Sequence, residues 1–487
     1  MRAFAAVDLG AQSGRVAVGR FDGERLSVEE VHRFSNVPVR VRGTLHWDVL
    51  RLYGDVLDGL RAATADTNVA SVAVDSWGVD FGLLDRAGRL VQNPVHYRDS
   101  RRAAAVDSVY ARVGARTLYD RTGIQLMSIN TVFELAAMAA EPDPVLAAAD
   151  RLLLIPDLFH HWLCGSKTTE RTNATTTQCY DARAGRWAVD LLEQLGVPVR
   201  LLPEVVEPAT QLGPVTDDTS GAAGATVVAA GTHDTASAVA GTPLGGKRAA
   251  FLSVGTWSLV GIESPAPVLG DEAFRANLTN EGGVGGTFRV LRNVTGLWLL
   301  EECRRHWGRS VDELLAAALQ EPPLRSFVDP NDPVFAAPGD MPGRIVDACA
   351  QTGQPRPESE GAVVRCILES LALKHAETVD LLARVTDRPL DELHVVGGGA
   401  RNGLLCEWTA AASERPVHAG PAEATLVGNL LVQAIALGEL ESLADARDVV
   451  RRSFSPQRYE PETSGAWREA RERFAGLSGV REVEVAT

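Results

Sequence analysis

Four short stretches join glycine to a hydroxyl, a carboxylate or a cation at the end of an apolar run. Backbone N–H groups can meet a phosphate or a sugar in such places. The first is Asp8-Leu9-Gly10-Ala11-Gln12-Ser13-Gly14-Arg15. Gly10 and Gly14 let the main chain approach an anion, and Ser13 and Arg15 add donors. Asp8 is a hard oxygen ligand, suited to hold Mg2+ through water. An ordinary hairpin with a turn-forming Asp would use the same residues. The second, Ser253-Val254-Gly255-Thr256-Trp257-Ser258, repeats the pattern with Thr256 at its tip. The third, Val395-Val396-Gly397-Gly398-Gly399-Ala400-Arg401-Asn402, removes three successive Cβ atoms, so a flat group could lie on the backbone. The fourth, Gly231-Thr232-His233-Asp234-Thr235, presents a carboxylate that could take a proton from a substrate hydroxyl or merely cap a helix. Neither G-x-G-x-x-G nor G-x-x-x-x-G-K-[ST] occurs, which disfavours both common glycine-loop routes to a nucleotide.

Such loops need elements to position them. Residues 4–7 read as a strand, broken at Gly10–Gly14 and resumed over 15–21. Asp22-Gly23 then signals a hairpin into 26–32. Residues 49–63 carry apolar side chains at helical spacing, and 69–74 form a short buried strand. That strand delivers Asp75-Ser76-Trp77-Gly78 into a turn at its carboxyl end, where open α/β sheets meet their ligands. The strand over 226–230 does the same for His233 and Asp234. The run Gly241-Thr242-Pro243-Leu244-Gly245-Gly246 interrupts helix and strand alike and is the best interdomain joint. Beyond it, 249–254 and 257–262 repeat the opening hairpin. Residues 363–385 form a helix with one buried face, on which His375 reads as a hydrogen-bonded core histidine. The strand over 393–396 empties into Gly397–Gly399.

The chain has 487 residues, more than one hydrophobic core usually spans, and its 45% hydrophobic and 23% charged composition is that of a globular protein. A net charge of −15 repels polyanions and excludes nucleic acid as a partner. ATP stays open, because a cation and local N–H groups neutralise phosphates at the site. The most apolar stretch, 225–244, contains His233 and Asp234, so no membrane span is expected. The apolar start ends at Asp8 with no leader behind it, and a cytoplasmic location follows. No C-x-x-C or H-x-x-x-H spacing suggests zinc, and the six cysteines read as reduced thiols. Cys349 and Cys366 bracket a proline-rich loop and could meet as a bridge.

Taken in order, D-L-G-A-Q-S-G-R, D-S-W-G-V-D-F, T-N-A-T-T-T-Q, G-T-H-D-T-A-S-A-V, S-V-G-T-W-S-L, N-L-T-N-E-G-G, G-L-W-L-L and V-G-G-G-A-R-N resemble the FGGY carbohydrate kinases. The likeness runs from Ala5 to about Gly428 and is greatest to those members that phosphorylate L-rhamnulose. It implies an α/β protein of two ribonuclease H-like domains, of the actin–hexokinase type, with an interdomain catalytic cleft. The domains would span 1–243, for sugar and phosphate, and 244–460, for the nucleotide, with a tail or helix over 461–487. The implied co-substrate is ATP and the implied metal Mg2+. Asp8 would handle the metal, while Ala11, Gln12, Ser13, Gly14 and Arg15 line the phosphates. Thr256 would touch the phosphates and Gly398 the nucleoside; Glu301 stands where some relatives carry an amide near the nucleotide. Gly78, His233, Asp234, Thr235 and Asn293 fall on sugar-binding positions, and Asp234 on the catalytic base. The positive end of the helix behind Asp234 should hold its pKa low. The expected reaction gives L-rhamnulose 1-phosphate in L-rhamnose catabolism, by a monomer or homodimer. L-fuculose or a pentulose is the alternative acceptor. A non-catalytic sugar sensor on the same fold would be expected to lose Asp234 or the Asp8 loop, and both are present.

Overall fold

The computed structural model describes residues 1–462 and 465–477, so residues 463–464 and 478–487 of the expected tail lie outside the described residues. It opens with Arg2–Leu9, a strand buried from Ala3 onward. The absence of polar alternation marks a strand covered on both faces. Ala5, Val7 and Leu9 pack with Leu52, Val56 and Leu60 of the helix Val49–Thr64. Phe4 and Ala6 face the other way, onto Leu426, Val427, Leu430 and Leu431 of the helix Ala424–Ala436. The period of two thus sorts one strand between two helical layers.

The sheet runs Thr210–Pro214, Thr226–Ala229, Ser71–Ser76, Arg2–Leu9, Ser13–Phe21, Leu26–Ser35. The three strands from Arg2 to Ser35 are antiparallel neighbours, while Arg2–Leu9, Ser71–Ser76 and Thr226–Ala229 lie parallel. This order and these directions are those expected of a ribonuclease H-like sheet, with Thr210–Pro214 added at one edge. The compact unit built on it comprises Met1–Pro243, Glu263–Val290 and Ala424–Phe454. Two segments from beyond the expected joint at 243/244 therefore belong with the first unit, although the strands Thr279–Gly282 and Phe288–Thr295 pair at the edge of the second sheet. The apolar face of Phe4 and Ala6 requires the second of them.

The second unit comprises Leu244–Ile262, Leu291–Glu423 and the described residues from Ser455 on. Ala249–Val254 pairs antiparallel with Trp257–Ser264 and parallel with Glu392–Val396, which is followed by parallel Val417–Ala419 and antiparallel Gln457–Tyr459. The topology of the first sheet recurs. The helix Glu360–Val385 is capped by Ser359, whose Oγ accepts the Ala362 N–H at 2.9 Å. His375 on its buried face shares a 3.0 Å hydrogen bond with Ser258 Oγ, and burial pushes its pKa down to about 3. It is a neutral core histidine, as the helical spacing indicated. All six cysteines are free thiols; Cys349 and Cys366 do meet, with their Sγ atoms 3.9 Å apart. Among the described residues no helix is long and apolar enough to cross a membrane.

Candidate active site

Three carboxylates stand at the carboxyl ends of three neighbouring parallel strands in the first unit. Asp8 lies opposite Asp75 in the parallel pair, and Ser76 bridges to His233, just before Asp234. Asp8 also faces Arg15 across the antiparallel hairpin. Arg15 donates to Asp8 Oδ2 from Nε at 2.8 Å, with Nη2 also at 2.8 Å. The expected phosphate donor is thus ion-paired to the expected metal carboxylate. Between them the turn is closed by Gly10 N–H donating to Ser13 O at 3.0 Å, leaving Gln12 exposed and Ala11 and Ser13 half-buried. Gly14 has a packing reason of its own: a Cβ there would stand 2.2 Å from the Phe34 ring.

Asp75 is wholly buried. Asn429 Nδ2 donates to its Oδ2 at 2.6 Å, and Oδ1 has no hydrogen-bond partner. Burial first, then the charge of Asp8, pushes its pKa well above the carboxylate range, against the Asn429 bond. Asp234 opens the helix Asp234–Ala240 and keeps 31% side-chain exposure. Its pKa is raised, not lowered as the helix-end argument anticipated. Desolvation dominates and the charge of Asp8 adds to it. His233 and the 3.0 Å bond from Thr235 Oγ1 to Oδ1 oppose this without prevailing.

His233 links Asp234 to a buried ion pair. Its Nε2 is 3.5 Å from Asp234 Oδ1, and its Nδ1 lies 3.2 Å from Glu281 Oε2 and 3.1 Å from Arg289 Nη2. Arg289 Nη1 is 3.1 Å from Glu281 Oε2, and Arg289 Nε donates to Gly282 O at 2.8 Å. Burial works to raise the pKa of Glu281, but Arg289 and His233 outweigh it and hold the group below its usual range. Gly78 packs against the Thr-rich loop: a Cβ there would sit 2.8 Å from Thr176 Oγ1, which accepts the Val79 N–H at 3.1 Å. Val79 holds φ +68, a costly conformation for a β-branched residue and one that clusters at functional sites. Gly78, His233, Asp234 and Thr235 are thereby gathered with Asp8 and its hairpin in one unit.

Thr256, Asn293, Glu301 and Gly398 belong to the second unit. Gly296 and Leu297 donate their N–H groups to Thr256 O and Gly255 O at 3.0 and 2.9 Å, bracing the Thr256 turn against the start of the helix Trp298–Trp307. Glu301, on that helix, is engaged by Arg304 at 2.7 Å and Arg305 at 3.1 Å, and these arginines, Arg304 foremost, lower its pKa. Gly397 and Gly399 are needed for contact with Val254, at 2.9 and 2.3 Å from a built Cβ, whereas Gly398 faces open space. Asn293 is half-buried on the strand Phe288–Thr295.

Residue reading missed Glu170, Glu281 and Arg289. Glu281 lies inside N-L-T-N-E-G-G, and Glu170 two residues before T-N-A-T-T-T-Q, so motif position was a usable signal. Arg289 had none. Among the described residues no group of three or more His, Cys, Asp or Glu could hold a metal ion. The acids of the first unit suit a hydrated cation shared with phosphate oxygens, the habit of Mg2+, better than an all-protein cage.

Comparison with known proteins bears on the whole chain. The N-terminal domain model of the FGGY family of carbohydrate kinases matches residues 3–241, and the C-terminal domain model matches 250–437. The chain is 42% identical over 469 residues to a rhamnulokinase of Bacteroides thetaiotaomicron, covering 95% of this chain and 97% of that protein. It is 41% identical over 472 residues to a rhamnulokinase of Enterococcus faecalis, covering 94% of each. In fold it resembles a ligand-bound xylulose kinase from Lactobacillus acidophilus, with TM-score 0.84 at 14% identity over 100% of this chain and 99% of that one. Plasmodium falciparum glycerol kinase with ADP gives TM-score 0.79 at 15% identity, covering 99% and 98%. Both units therefore carry the expected α/β architecture of these kinases, and the chain belongs to the FGGY family of carbohydrate kinases.

Proposed function

We propose that the chain transfers the γ-phosphoryl group of ATP to O1 of L-rhamnulose, with Asp234 as the general base. The likeness to rhamnulokinases over nearly the full length carries the substrate reading. The position of Asp234 at a strand end, beside His233 and Thr235, supports its role. Asp234 takes the O1 proton as O1 bonds to the γ-phosphorus and the bond to the ADP oxygen breaks in line. Such transfer asks chiefly for positioning and charge stabilisation. A base whose pKa is raised toward the working pH accepts a proton more readily than an ordinary carboxylate. Mg2+, when bound, neutralises charge on the phosphate oxygens, and Asp8 would hold it through water. Ala11, Gln12, Ser13, Gly14 and Arg15, in the hairpin that follows Asp8, would line the phosphates, and Gly78 with His233 and Thr235 would orient the sugar. Asn293 joins the sugar contacts, while Thr256 and Gly398 serve the nucleotide.

Two measurements test this. In a coupled ADP assay over a panel of ketoses, L-rhamnulose should give the highest kcat/KM. A higher value for L-fuculose or D-xylulose would overturn the substrate and leave the family intact. Asp234→Asn keeps size and loses the proton acceptor, so kcat should fall by about 10²–10⁴ with saturating sugar and MgATP. Activity within about threefold of the parent removes Asp234 as base.

A further inference from the structure

Glu170 has no exposed surface, and four donors converge on its carboxylate. Thr172 N–H donates to Oε1 at 2.6 Å, and the Thr172 hydroxyl donates to Oε2. From the next loop, Thr232 donates its N–H at 2.9 Å and its hydroxyl at 2.8 Å, both to Oε2. While its hydroxyl hydrogen points to Glu170, Thr172 Oγ1 accepts the N–H of His233 at 3.2 Å. The carbonyl of Thr232 is held as well, by Ser76 N–H at 2.9 Å. Every polar group of Thr232 is therefore fixed, two residues before Asp234. A carboxylate that accepts this many hydrogen bonds defines a loop more tightly than neutral partners could.

We infer that Glu170 is a positioning residue for Asp234: it locks Thr232 directly and the His233 amide through Thr172, and so fixes the turn from which Asp234 projects. The inference rests on the reading of Asp234 as general base. Phosphoryl transfer needs that carboxylate at hydrogen-bond distance from the attacking hydroxyl, and displacements of about 1 Å can cost 10²-fold in rate. Glu170→Gln would turn an NH2 group toward one of the four donors and release the turn without emptying the space. Thr232→Val removes one of the donors at constant shape, and Thr232→Ser restores it.

The test is steady-state kinetics of the full chain with saturating L-rhamnulose and MgATP. Glu170→Gln should lower kcat by about tenfold or more, with the KM values of sugar and nucleotide within about threefold of the parent. Thr232→Val should lose part of this activity and Thr232→Ser regain it. In the Asp234→Asn background, Glu170→Gln should change the residual rate by less than about twofold, because the group it positions is gone. The inference is overturned if Glu170→Gln keeps kcat within about twofold of the parent, or multiplies its full loss onto that of Asp234→Asn. Should Glu170→Gln fail to fold, the Thr232 pair decides, and equal kcat for Thr232→Val and the parent overturns it. If Asp234→Asn is inactive while Glu170→Gln is fully active, only this inference falls; an active Asp234→Asn fells the base reading and this inference together.

Discussion

Replacing Glu281 by Gln should unsettle the first unit far more than a single lost charge on a surface would. Arg289 has 0% side-chain exposure and Glu281 7%, and Nη1 and Oε2 are 3.1 Å apart. The guanidinium does not shed its proton near neutral pH, so the substitution leaves a buried cation with an amide where its counter-ion was. Breaking a buried pair on one side costs about 3–5 kcal/mol. Gln keeps a carbonyl for Arg289, and the Gly282 carbonyl still accepts Nε, which places the expected loss near the lower figure. With an unfolding entropy of about 2.1 cal/mol/K per residue over the roughly 300 residues of the first unit, a loss of about 3 kcal/mol lowers Tm by about 5 °C. Removing both partners, as Glu281→Gln with Arg289→Met, should destabilise less than the two single losses added together, with a coupling of about 1 kcal/mol or more. The pH dependence has a definite sign. Glu281 is held below its ordinary 4.5, so its contribution is present above that value and lost as pH falls through the depressed one. Thermal and urea unfolding of parent, singles and double, at pH 7 and down to about pH 3, would show the gap between parent and Glu281→Gln closing in acid. A loss below about 1 kcal/mol at pH 7, or a gap that acid leaves unchanged, would refute the reasoning.

Gly398→Ala should leave Tm within about 1 °C, since a Cβ there meets open space, and should raise KM for ATP if the nucleoside lies on that backbone. An unchanged KM for ATP removes Gly398 from the nucleotide contacts. Gly428→Ala places a Cβ 1.8 Å from Ser237 O, so it should cost about 2–3 kcal/mol or prevent folding, read as Tm and soluble yield. Asp75→Asn should match or exceed the parent's stability at pH 7 by about 1–3 kcal/mol, because it removes a buried carboxylate with an unpartnered oxygen. The folded pKa of Asp75 is raised above 3.8, so its favourable protonated form is lost as pH rises through the raised value; the parent, and not the variant, should gain stability on mild acidification.

Much of this was legible because the chemistry sits where local patterns are strongest. Apolar runs that end in glycine and a polar residue announced Arg2–Leu9, Ala249–Val254 and Glu392–Val396, and with them Asp8, Thr256 and Gly398. The recurrence of one hairpin in both halves pointed to two like units. What escaped has no local signature. That Ala424–Phe454 returns to the first unit depends on which apolar face Phe4 and Ala6 present, a contact between residues more than four hundred apart in sequence. The pairing of Glu170 with Thr232 likewise becomes visible only when separate loops are brought together, and that of Glu281 with Arg289 only when the neighbouring strands Thr279–Gly282 and Phe288–Thr295 are set in register. The sign of the Asp234 shift turned on burial and on Asp8, which a helix-end argument does not include.

The return of Ala424–Phe454 to the first unit has a consequence for how the molecule is made. On a ribosome the strand Arg2–Leu9 emerges first, yet the helix that covers Phe4 and Ala6 emerges near the end. At roughly 5–20 residues per second, the nascent sheet waits about 10–35 s after Pro243 with one apolar face uncovered. Vectorial synthesis therefore cannot finish the first unit before most of the second has left the exit tunnel. During that interval a holding chaperone has an open hydrophobic face to bind, and a fragment ending at Pro243 would carry the same exposed face permanently.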